Sequence, residues 1–209
     1  MGATVMAIAS QRDNPAERTP AVILFAELRN FTSMSEMLDA ARVLALADQF
    51  FDCAAGAVQA NGGEVIGVHN DSLLAAFRRG TPAEQARNAV RAAQRMATDF
   101  DPAGQAWQRD YGLRAAISIG VHLGDAVFGE AGPAGQRNAV VFGDCVSVTE
   151  RLVHRARAGE LVLSHAVMAV VSVAELELDA QALPPLELHN RPPIRIYGVL
   201  RDDRLDFTA

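Results

Sequence analysis

Six consecutive apolar residues, Ala21-Val22-Ile23-Leu24-Phe25-Ala26, restrict this chain more than any other stretch. A run without polar alternation has no face to turn to water, so it reads as a buried strand in the middle of a sheet. The run ends on a carboxylate, Glu27, and the chain then breaks through Asn30 and Phe31 into a helix expected to open at Thr32-Ser33. Unpaired amides at a helix N-terminus attract anions, and a carboxylate beside them attracts a cation. A second carboxylate, Asp71, falls in a turn between two expected strands. If those strands lie beside the apolar one, both carboxylates meet at one sheet edge. Magnesium takes oxygen ligands in near-octahedral geometry and keeps several waters, so two carboxylates and a triphosphate suit it. Each carboxylate has an ordinary reading too: Glu27 as a solvated strand end, Asp71 as a turn former.

Periodicity places the other elements. Met37, Leu38, Val43, Leu44, Leu46, Ala47, Phe50, Phe51, Ala54 and Val58 recur at helical spacing, which predicts one long amphipathic helix over 33–60. Ser33 and Glu36 have capping-box spacing at its start, and Asn61-Gly62-Gly63 ends it. Strands are expected at 64–68 and 72–77 around Asn70-Asp71, then a helix from Pro82 to about Phe100 and a loop over 101–110. Alternation of Leu113, Ala115, Ile117, Ile119 and Val121 predicts a strand over 112–121. A loop over 129–135, a short strand at 139–142, a helix at 147–156, a strand from 161 and a hairpin of 186–188 with 194–199 complete the chain. This order specifies an α+β fold with a ferredoxin-like core and a C-terminal extension. Residues 1–20 read as an arm or extra edge segment, 21–200 as one domain and 201–209 as a tail.

Composition excludes several functions. All nineteen basic residues are arginine, so no mechanism here uses a lysine ammonium. A formal charge of -6 and the lack of an arginine patch argue against a nucleic-acid surface. No apolar run approaches the length of a membrane span, so the expectation is a cytoplasmic domain with no membrane segment of its own. Cys53 and Cys145 form neither a disulfide framework nor a metal site, and Cys53 reads as a core residue.

Four ordered stretches carry a resemblance. Phe25-Ala26-Glu27-Leu28-Arg29-Asn30-Phe31-Thr32 matches the pattern F-[AT]-D-[IL]-x-G-F-T. Gly67-Val68-His69-Asn70-Asp71-Ser72-Leu73-Leu74-Ala75-Ala76-Phe77 matches K-F-I-G-D-A-L-x-A-x-F. Gly120-Val121-His122-Leu123-Gly124-Asp125 matches G-I-H-x-G-E, and the stretch from Ala139 to Leu152 matches Y-T-V-I-G-D-T-V-N-x-A-x-R-L. From about residue 20 to 200 the chain resembles the catalytic domain of class III adenylate and guanylate cyclases. The resemblance implies active sites at a head-to-tail dimer interface, formed by a homodimer or by a heterodimer with another cyclase. It implies a nucleoside triphosphate converted to a 3′,5′-cyclic nucleotide and pyrophosphate with two Mg2+ or Mn2+ ions. Glu27 and Asp71 then occupy the metal positions, and Arg151 the arginine that steadies phosphate charge. The helix start at Asn30, Phe31 and Thr32 cradles the outer phosphates.

The departures are equally specific. Glu27 replaces aspartate and is one methylene longer. Gly67 stands where the family carries its base-reading lysine or glutamate, and Val140 where it carries that residue's polar partner. Ser147 replaces the ribose-orienting asparagine, and Asn30 and Asn70 replace glycines. Loss of one transition-state donor typically costs about 10²–10³ in rate. The alternative to turnover is therefore a catalytically silent homologue that binds nucleotide or regulates through dimerisation. His122 reads as a structural hydrogen-bonding residue, and His69 has only its proximity to Asp71.

Overall fold

A computed structural model describes residues 17–133, 135–189 and 191–200. The rest of the expected arm and the expected tail lie outside the described residues. The apolar run is the inner part of β1 (Glu17–Leu28), with β3 (Ser72–Phe77) on one side and β4 (Ile117–Ala131) on the other. The sheet continues from β3 to β2 (Glu64–His69), and from β4 through β6 (Glu160–Ser164) and β8 (Ile194–Leu200) to β7 (Gln181–Leu186). β5 (Asn138–Phe142) pairs with the far end of β4. Every pairing is antiparallel except β4 with β6, which is parallel over three register pairs.

The inner run of β1, 21–26, is apolar because both faces of the strand are covered there. Val22, Leu24, Ala26 and Leu28 face a core shared with α2 (Ala40–Ala60) and α3 (Pro82–Tyr111). Ala21 and Ile23 face the opposite side, against Ala126, Val141 and Cys145. That side is covered by α4 (Asp144–Arg155), whose Val148 and Leu152 pack on Val162 and Ile196. Gly120 sets the approach of α4: a Cβ there would lie 2.6 Å from the Val153 nitrogen and 2.7 Å from the Thr149 oxygen. Backbone meets backbone at that point, and only glycine fits.

The structure departs from the expected elements at several places, among them β7, which covers Gln181–Leu186 where a strand at 186–188 is expected, and β1, which takes in residues 17–20 of the expected arm. The helix expected over 33–60 is two helices, α1 (Phe31–Met37) and α2, because Leu38 is extended and Asp39 restarts the chain by accepting the Arg42 amide. Asn30 in the left-handed region precedes α1, so the expected Ser33–Glu36 capping box does not form. The expected loop at 101–110 is helix to Tyr111: Phe100, Ala103 and Trp107 continue the inner stripe of α3 past Pro102. β4 accordingly starts at Ile117 and runs through Ala131 into the expected loop, held there by β5. Asn70 adopts φ 51°, as a tight turn between β2 and β3 requires. α5 (His165–Met168) follows β6 directly.

Candidate functional site

Pairing brings the two carboxylate-bearing segments together. Glu27 lies between Ser72 of β3 and Ser118 of β4, and the Leu28 amide donates to the Asp71 carbonyl at 2.8 Å. The end of β1 and the β2–β3 turn are thus one edge of the sheet. Asp71 is half-buried and its carboxylate has no ion pair among the described residues. Glu27 is different. Its Oε1 accepts from Arg29 Nη1 at 2.8 Å, and its Oε2 lies 3.6 Å from His154 Nε2.

Arg29 is held on all sides. Its Nε donates to Ser118 Oγ at 2.8 Å, and its Nη2 donates to the Ala156 carbonyl. Ser118 in turn donates to the Arg157 carbonyl at 2.7 Å. Ala156 is the C-cap residue of α4 and Arg157 follows it, so the guanidinium sits beside the C-terminal end of that helix, where partial negative charge favours a cation independently of Glu27.

The second half of the site is a cleft of about 330 Å³ between the β2–β3 hairpin and β5. Gly67 and Val140, assigned by resemblance to the base-reading positions, line this one cleft. Phe25, Ile66, Leu74 and Phe142 make it largely apolar, and Ser72 spends its hydroxyl on the His69 carbonyl. A Cβ at Gly67 would meet nothing within 4 Å. The space a longer side chain would fill is therefore open.

Ser147 and Arg151 are exposed and one turn apart on α4, and His154 continues the same stripe. Within the single chain neither Ser147 nor Arg151 has a polar side-chain contact to Glu27 or Asp71 among the described residues. α1 begins at Phe31 with exposed Thr32 next, and Asn30 contributes no side-chain cap; its amide instead donates to the Arg114 carbonyl at 2.9 Å. His122 is buried, shares a 2.8 Å hydrogen bond with Ser164, and is pushed down to about 4 chiefly by burial. Cys53 is pushed up to about 11, first by burial and then by Asp99.

Arg29, Ser118 and His154 are absent from the sequence-based site. Arg29 follows β1 in the turn that leads to α1, only two residues from Glu27, and that short separation is the signal it carried. Ser118 and His154 reach Glu27 through long-range pairing, for which no local pattern exists. The donor chemistry suits a divalent ion unevenly: among the described residues the Asp71 carboxylate is unengaged, whereas Glu27 meets an arginine. Among the described residues, no three His, Cys, Asp or Glu side chains gather as a metal-holding group.

Comparison with known proteins identifies the architecture. Residues 15–200 match the family model for the adenylate and guanylate cyclase catalytic domain. An adenylate cyclase from Anabaena cylindrica is 28% identical over 131 residues, covering 62% of this chain and 26% of that protein. Adenylate cyclase 1 from Rhizobium meliloti is 30% identical over 141 residues, covering 66% of this chain and 21% of that protein. The chain thus spans about a quarter or less of the length of these curated relatives. The crystal structure of the adenylyl cyclase CyaB from P. aeruginosa superposes with a TM-score of 0.82 at 20% identity, over 91% of this chain and 98% of that one. This likeness establishes a shared fold.

Proposed function

The chain belongs to the adenylate and guanylate cyclase catalytic-domain family, and from that premise we propose a catalytically silent homologue that binds a nucleoside triphosphate and regulates through dimerisation. The observation that carries this reading is the cleft shared by Gly67 and Val140. It is open and largely apolar, and neither residue offers a side-chain hydrogen bond to a base. A pocket that keeps its volume but loses its base-reading groups supports binding without efficient turnover. Ser147 removes a ribose-orienting amide from the complementary half.

In this reading the triphosphate lies between the Asn30–Thr32 junction and the exposed face of α4. Asp71 would hold the divalent cation, Mg2+ or Mn2+, which supplies positive charge to the phosphate oxygens; two ions would be used if turnover occurs. Arg151 of one subunit faces the phosphates of the other, in a homodimer or in a heterodimer with another cyclase. No helix among the described residues is long and apolar enough to cross a membrane. We place the domain in the cytoplasm, with no nucleic-acid partner.

A second reading, slow cyclisation, is favoured by one observation: the Asp71 and Arg151 side chains have no ion pair among the described residues. One experiment decides. The protein is incubated with ATP, GTP, CTP and UTP, each with Mg2+ or Mn2+, and cyclic nucleotide and pyrophosphate are followed by mass. Calorimetric binding without product beyond an Arg151→Ala control is the expected result. Product lost in Asp71→Ala and Arg151→Ala would establish turnover and end the silent reading. Restoring Glu27→Asp, Gly67→Lys, Val140→Asp and Ser147→Asn together is expected to raise ATP cyclisation. No gain in a folded quadruple variant would remove the residue assignments.

A further inference from the structure

We infer that Arg29 is the resident counter-cation of Glu27, so that a divalent ion at this site is held through Asp71 without Glu27. The inference deepens the nucleotide-binding reading and rests on it. Three observations carry it. Glu27 near the end of β1 and Arg29 in the turn after it meet at 2.8 Å, with side chains only 15% and 26% exposed. The other bonded guanidinium nitrogens are committed as well, to Ser118 Oγ and to the Ala156 carbonyl at the end of α4. Finally, the other carboxylate oxygen of Glu27 faces His154, 3.6 Å away.

An incoming divalent ion would have to displace a guanidinium that is bonded to a carboxylate, a hydroxyl and a helix-terminal carbonyl together. Displacing it leaves a half-buried cation without its partners, next to the incoming ion and of like charge. Asp71 requires no such displacement. Its carboxylate has no ion pair among the described residues, and its backbone is fixed to the end of β1 through Leu28. The longer reach of glutamate over aspartate fits this role, since the extra methylene carries the carboxylate to Arg29. The clasp also joins β1, β4 and the end of α4, so Glu27 positions the helix that carries Arg151.

The test measures ATP affinity of the full chain by calorimetry at saturating Mn2+ and again in chelator, the ratio giving the metal contribution. Glu27→Gln is expected to leave this ratio within about twofold, whereas Asp71→Asn lowers it at least tenfold. Arg29→Gln is expected to raise it several-fold, and the gain disappears in the Arg29→Gln/Glu27→Gln double variant. A tenfold loss in Glu27→Gln overturns the inference while leaving nucleotide binding intact. If no protein binds ATP, the proposed function fails, and Mn2+ alone, titrated by electron paramagnetic resonance, decides the clasp. A Mn2+ equivalent gained by Arg29→Gln and lost in the double variant sustains it; no gain overturns it. Arg29→Lys, which offers one ammonium to three acceptors, replaces Arg29→Gln should circular dichroism show the latter unfolded.

Discussion

His122 shows how strongly the fold can alter one side chain. Burial pushes its pKa from 6.5 to about 4, against the raising effect of Asp144. Above pH 6.5 both folded and unfolded chains carry a neutral imidazole, and the residue costs no stability. As pH falls from 6.5 towards 4 the unfolded chain takes the proton first, so stability declines across that window and the loss is complete below it. The size is on the order of 3 kcal/mol. His122→Gln should flatten the denaturant-derived stability profile between pH 6.5 and 4, and an unchanged slope would refute the assignment. From sequence this residue follows the strand expected over 112–121 and reads as structural; it lies within β4, and burial beside Ser164 agrees with that reading. It also showed Glu27 and Asp71 on neighbouring segments. It did not show that Glu27 is occupied, because Ser118 and the end of α4 lie about ninety and a hundred and thirty residues away. Local spacing encodes faces, not partners.

Helix α3 illustrates how packing overrules a local breaker. Proline inside a helix removes one hydrogen bond and costs about 3 kcal/mol, and 101–110, which holds Pro102, reads as a loop from sequence. Downstream of Pro102, however, Trp107 is buried, stands edge-on to Phe100 with centroids 5.2 Å apart, and donates to Gln49 Oε1 at 3.1 Å. Burying that indole offsets the break. Trp107→Ala should therefore destabilise the protein by about 3–5 kcal/mol. A melt followed by far-ultraviolet circular dichroism checks this, and an unchanged midpoint would show that the last turns of α3 contribute nothing. The opposite error occurred at Leu38, where the apolar stripe ran on across a real interruption. Asp39 was the available signal, since aspartate is a strong N-cap.

At the scale of the whole molecule, element order made the central strand, its two neighbours and the shared face of α2 and α3 legible. The parallel pairing of β4 with β6 was not, because a parallel partner is reached through a crossover that leaves no mark on either strand's period. The exposed stripe of Ser147, Arg151 and His154 has its complement, under the proposed function, in a second subunit. Sedimentation over a range of concentrations should show reversible dimerisation, strengthened by ATP with Mn2+ and weakened at least tenfold by Arg151→Glu. A persistent monomer under all conditions would exclude the homodimer and leave pairing with another cyclase.

The three-rung junction of β4 and β6 divides the sheet unequally. On one side β1 is stitched to β4 over twelve register pairs; on the other, β6, β8 and β7 hang from three parallel ones. What closes that seam is α4, whose Val148 and Leu152, with Ala156 at its C-cap, pack with Val162 and Ile196. The helix is thus a bolt across the weakest joint in the sheet, and it carries Arg151 on its outer side. Under the proposed function, a second subunit that pulls on Arg151 would load this joint, which would tie assembly to the mechanical integrity of the C-terminal strands.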